Sequence, residues 1–156
     1  MRMKPFKFNP IEDLDLNIPK NKQKQALQAA ASYLKEAMLD YIGEGSSPVS
    51  GGKWVRGLTK GYKDQKREFS SSIFANLEKE GDFLDSLKVS ISGNDLVVNV
   101  GKDQVGKAEG FLTGLYGENA KKEYKREFMP QGDGKFNREI MGTIKSILEE
   151  YEDSND

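Results

Sequence analysis

A period-two stretch between residues 87 and 100 restricts the fold more than any other feature. Leu87, Val89 and Ile91 alternate with Lys88, Ser90 and Ser92, the pattern of a strand with one buried face. Gly93-Asn94 is a turn signal, and Leu96-Val97-Val98-Asn99-Val100 returns antiparallel. Two segments have the periodicity needed to cover this hairpin. From Pro19 to about Ile42, apolar residues fall at Leu27, Ala30, Ala31, Leu34, Met38, Tyr41 and Ile42, on one helical face. Pro19 suits a first helical position, where its missing N–H would have no partner, and Gly43 and Gly45 end the run. A second helix is expected from about Lys135 to Tyr151, with Phe136, Ile140, Met141, Ile144, Ile147, Leu148 and Tyr151 inward. The fold class read from these elements is α+β, a small antiparallel sheet packed by long N-terminal and C-terminal helices.

The remaining segments fit around that frame. Residues 1–18 read as an irregular arm, with the alternation Leu14-Asp15-Leu16-Asn17-Ile18 as its short strand. Its apolar residues need cover, from its own domain or a neighbouring subunit. Residues 19–151 form one α+β domain, and 152–156 an acidic tail. Residues 43–57 are a loop rich in Gly, Ser and Pro, and Thr59 caps a short helix through Arg67. Residues 68–80 read as an exposed excursion. Asp82 to Leu87 reads as a helical turn, Gln104 to Leu115 as a helix weakened by its glycines, and Tyr124 to Met129 as a strand ended by Pro130.

Composition narrows the chemistry. The chain has 156 residues, no Cys and no His. Disulfides, thiolate nucleophiles, the commonest general base and the commonest metal ligand are therefore missing. No apolar run approaches the roughly 20 residues of a membrane span, so no membrane partner is expected. Asp82 and Asp85 sit where acids complement a helix dipole, and they read as structural rather than as a catalytic pair. Gly106, Gly110, Gly114 and Gly117 match neither GxGxxG nor the P-loop spacing. No enzyme activity, cofactor or metal is expected.

One segment is strongly basic. Between residues 53 and 67, Lys53, Arg56, Lys60, Lys63, Lys66 and Arg67 face a single acid, Asp64, with Trp54 and Tyr62 interleaved. Such a segment suits phosphate contact and stacking, so a nucleic-acid-binding accessory role is one reading. The net charge of −1 gives no global pull toward nucleic acid. An acidic protein face is the other reading, because Trp, Tyr and Arg often carry binding energy.

The order of several short steps resembles the virion morphogenesis, or tail completion, proteins of tailed bacteriophages. The steps are Ser47-Pro48-Val49-Ser50-Gly51; Trp54, then Leu58-Thr59-Lys60-Gly61-Tyr62 and Lys66; Gly81-Asp82-Phe83-Leu84-Asp85-Ser86-Leu87; the hairpin; Phe111-Leu112-Thr113-Gly114-Leu115-Tyr116-Gly117; and Arg126-Glu127-Phe128-Met129. Ser50 and Glu80 stand where the family carries Thr, and a family His is absent. The resemblance covers about residues 25–150 and excludes the arm. It implies a structural protein of the virion neck or tail end, made in the host cytoplasm. It would complete the tail or join head to tail as a homomeric ring of about six copies. Its implied partners are other copies, the connector or neck proteins and the tail tube, with DNA at most passing through the channel. The same architecture serves contractile bacteriocins and gene transfer particles. Together the basic segment and these steps give the candidate interface residues Pro48, Val49, Lys53, Trp54, Arg56, Tyr62, Lys63, Arg67, Phe111, Tyr116, Arg126 and Phe128.

Overall fold

The computed structural model describes residues 3–54, 81–113 and 125–152. Its elements are β1 (Phe6–Phe8), α1 (Pro10–Asp13), α2 (Lys20–Gly43), α3 (Gly81–Ser86), β2 (Lys88–Ser92), β3 (Asp95–Asn99), a 3-10 turn (Lys102–Gln104), α4 (Val105–Thr113) and α5 (Arg138–Glu149). The fold is α+β, as the sequence pattern required.

The hairpin forms in the expected register, with Val89 opposite Val98 and Ile91 opposite Leu96. Gly93 takes φ +61° at the first position of the two-residue loop, where a side chain would be strained. The sheet has a third strand, which comes from the arm. β1 pairs antiparallel with β3, giving the order β1-β3-β2. Phe6 and Phe8 thus join Val98, Leu96, Val89 and Ile91 on one face. Lys7, Val97, Ser90 and Lys88 occupy the other, where Lys7, Ser90 and Lys88 are exposed. The helix α2 packs on β2 and on α5.

The arm's strand lies at Phe6–Phe8 rather than at 14–18, which corrects the sequence expectation. Both phenylalanines point to one face in a strand and meet Phe136, at ring-centroid distances of 5.7 and 5.9 Å. Residues 14–18 are instead the exit from α1. Asn9 caps α1 by accepting the Glu12 N–H, and Pro10 opens it. The helix closes in a Schellman motif: Leu16 N–H donates to Ile11 C=O and Asp15 N–H to Glu12 C=O. That motif needs a left-handed residue, and Asp15 supplies it at φ +53°. Glycine would do so freely, whereas an L residue there costs about 1 kcal/mol.

Helix α2 has 24 residues, roughly 36 Å at 1.5 Å each. Ala26, Leu27, Ala30, Leu34 and Met38 are fully buried along its inner face. Pro19 stands one position before the first helical residue, with its C=O taken by Lys22 N–H at 2.8 Å. The C-terminal helix begins later than its periodicity suggests. Asn137 accepts the Ile140 N–H at 2.9 Å and so caps α5 at Arg138.

Residues 125–129 form no strand, contrary to expectation. Arg126 N–H donates to Phe111 C=O, and Glu127 C=O accepts from Ser47 Oγ, so the segment's hydrogen bonds go to a helix end and a side chain instead of a ladder. The expected helix at 59–67 and the excursion at 68–80 lie outside the described residues. Among the described residues, no helix is long and apolar enough to cross a membrane.

Candidate interaction surface

The Ser47–Gly51 loop is locked by one side chain. Ser47 is 2% exposed. Its Oγ donates to Glu127 C=O at 2.7 Å and accepts the N–H groups of Val49 and Ser50, each at 3.1 Å. This is the turn geometry that Ser hydroxyls favour, here with a third, long-range bond. The backbone adds Gly51 N–H to Ser47 C=O at 2.8 Å and Ser47 N–H to Gly52 C=O at 2.9 Å. Gly51 sits at φ +82°. Asn137 N–H donates to Pro48 C=O at 2.9 Å, which fastens the loop to the cap of α5.

Past the loop the chain folds back on the segment before it, with Trp54 N–H donating to Gly45 C=O at 2.9 Å. Ser46 and Lys53 form an isolated antiparallel bridge. Lys53 is exposed, and its Nζ donates to Glu44 C=O at 3.1 Å. Trp54 is half-buried, and the Arg126 guanidinium lies 6.0 Å from its ring centroid. A cation there is attracted to the ring's negative face. That contact occupies one face of Trp54 within the chain.

The candidate residues are therefore not one cluster. Pro48, Val49, Lys53, Trp54 and Arg126 come together around the loop, with Val49 half-buried and Pro48 buried. Phe111 and Phe128 do not belong with them, which corrects their place among interface candidates. Phe128 has no exposed surface and Phe111 is 4% exposed. Both pack edge-on against Phe83, at 5.0 and 5.1 Å between ring centroids. Arg56, Tyr62, Lys63, Arg67 and Tyr116 lie outside the described residues.

Replacing Ser47 by Ala tests the lock. Two backbone donors and one acceptor lose their partner together, and leaving such buried groups unmade costs about 1–3 kcal/mol. Denaturant unfolding of the Ser47→Ala variant should report that loss. Stability within error of the parent would show that the lock contributes nothing.

Sequence reasoning missed a second surface. A groove beside α2 is lined by Tyr33, Glu36, Asp40, Tyr41, Glu44 and Glu139. Glu36, Asp40 and Glu44 recur at steps of four, a spacing legible in the sequence; only the fold brings Glu139 to them. Tyr41 Oη donates to Glu139 Oε1 at 2.9 Å. Burial pushes the Tyr41 hydroxyl up from its ordinary range, and the bond to Glu139 pushes the same way. The neutral phenol is thus preferred in the folded state. Its contribution is fully present below pH of about 10 and is lost as pH rises through the raised folded value. Thermal melts across that alkaline range should fall more steeply for the parent than for Tyr41→Phe. Parallel curves would refute the linkage.

Among the described residues, no group of three or more acidic side chains has the arrangement of a metal site. No family model matches the chain, and no curated protein or solved structure matches it either.

Proposed function

We propose that this chain is a structural virion protein that completes the tail or joins head to tail as a homomeric ring. The observation that carries the reading is the ordered series of sequence steps, anchored on Ser47-Pro48-Val49-Ser50-Gly51 and followed by the basic segment. Two structural features support it. The loop is tied to the body through Ser47 and Pro48 and closed on itself at Gly51 and Gly52, so Val49 is held on a fixed platform. A ring contact benefits from such pre-organisation, because little freedom is lost on docking.

The second feature is charge. Head-to-tail rings need two different faces on each copy. This chain carries a basic run in its sequence from Lys53 onward and an acid-lined groove beside α2. Opposed rim charges of this kind steer association and weaken with salt.

The test is quantitative mass spectrometry of purified particles from a producer, with gold labelling against the protein. The reading expects a low, fixed copy number and label at the head–tail junction or tail end. Particles that are complete and infectious but free of the protein would overturn it.

A further inference from the structure

We infer that the outer face of α2 is self-complementary: two copies pair through it, antiparallel, about a two-fold axis at Ser32. A two-fold contact uses one face twice, whereas a ring contact uses two different faces, so the inference does not rest on the virion reading.

One row of side chains carries it. Every fourth residue along α2 reads Lys20, Lys24, Gln28, Ser32, Glu36, Asp40 and, at the C-cap, Glu44. All seven are exposed, and residues at this spacing form a continuous ridge on a helix surface. The charge along the ridge runs from positive through neutral to negative. Turned end for end, the ridge matches itself. Lys24 then meets Asp40 of the second copy, Gln28 meets its Glu36, and Ser32 meets Ser32. The small side chain at the centre lets the two helices approach closely.

Within a single chain the same row is unfavourable. Cations belong near a helix C-terminus and anions near its N-terminus, but the first turn of α2 holds no acid and the last turn no base. Lys20 and Lys24 are like charges four residues apart, and so are Glu36 and Asp40; such pairs destabilise a helix. Among the described residues, none of these four charges is in an ion pair within the chain. Each half of the ridge also borders an open groove. One, of about 570 Å³, is lined by Lys20, Lys24 and Gln28 with the β2–β3 turn; the other, of about 560 Å³, by Glu36 and Asp40 with Tyr33. An antiparallel copy answers every one of these features. It sets each positive half beside a negative half and opposes the two helix dipoles. Ridges of this kind interdigitate in the commonest class of helix packing. A contact of one helix pair belongs with the small interfaces, below roughly 1,200 Å², so the pairing is weak and is screened by salt.

Charge reversal tests it. Sedimentation equilibrium at low salt should show the mass of the parent rising toward a dimer with concentration, and high salt should abolish the rise. Lys24→Glu alone and Asp40→Lys alone should each stay monomeric, because each breaks both symmetric contacts. An equimolar mixture of the two should dimerise again, since both contacts are restored with their signs exchanged. Both reversals relieve like-charge pairs, so neither variant should melt below the parent. The chain has no native Cys, so an oxidised Ser32→Cys variant reports the axis. It should give a covalent dimer well above that of an Asp133→Cys control, whose residue is exposed in a distant turn. A parent that stays monomeric at about 1 mM overturns the inference. So does a mixture no heavier than its components, or a Ser32→Cys yield no greater than the control. Self-association of Lys24→Glu equal to that of the parent also overturns it, because the acidic half then takes another basic segment.

Discussion

Replacing Phe128 by Ala should lower stability by about 3–5 kcal/mol, the usual range for removing a large aromatic from a core. Phe128 has no exposed surface and meets Phe83 edge-on at 89°, with 5.0 Å between centroids. Phe111 stands on the same Phe83 ring. Removing the Phe128 ring therefore leaves a cavity against Phe83, and such cavities add to the cost of the lost burial. A domain of this size shifts by roughly 2–4 °C per kcal/mol, so the melting temperature should drop by on the order of 10 °C. Total stabilities are commonly about 5–15 kcal/mol, which leaves this variant near the edge of folding. The measurement separates two roles cleanly. If Phe128 served a subunit interface, the isolated variant would melt like the parent and fail only in assembly. Calorimetry on the dilute protein distinguishes these outcomes.

The second large effect is expected from deleting residues 1–18. That deletion removes β1 and α1 and uncovers Leu96, Val98 and Phe136. The loss should be at least that of removing Phe6 alone, about 3 kcal/mol. It also exposes the edge of β3, whose unpaired N–H and C=O groups favour association with other strands. The truncated protein should therefore melt lower and aggregate during size-exclusion chromatography. A synthetic peptide of residues 1–18, added in excess, should restore part of the melting temperature, because the seat for β1 is intact. An unchanged melt would mean that the arm contributes nothing to the fold.

The arm also marks the limit of what its sequence reveals. Hydrophobic alternation in Leu14–Ile18 looks more like a strand than Phe6-Lys7-Phe8 does. A three-residue strand has too little pattern of its own; the free edge of β3 and the ring of Phe136 select it. The signals for α1 were local, with Asn9 and Pro10 in the places of a cap and a first helical residue. The hairpin and both long helices were legible because each carries its own period over many residues. Helix α5 starts at Arg138 because the Asn137 side chain, not the periodicity, sets the boundary.

The candidate surface was legible only in part. The basic run is a matter of composition, so Lys53 and its successors stand out without any structure. Phe111 and Phe128 are aromatic steps in a resemblance, and nothing local distinguishes a core Phe from an interface Phe. Their contacts with Phe83 decide it, across 28 and 45 positions of chain. The role of Ser47 was equally hidden. Its hydroxyl spans to Glu127, a long-range bond that no spacing rule anticipates. The acid-lined groove needed α5 to bring Glu139 beside α2.

The central claim is the joining or completion role, and its most direct test is negative-stain electron microscopy of particles from a producer lacking this gene. The account predicts filled heads separate from free or overlong tails, with normal particles restored when the gene is supplied in trans. Normal, infectious particles without the gene would contradict it.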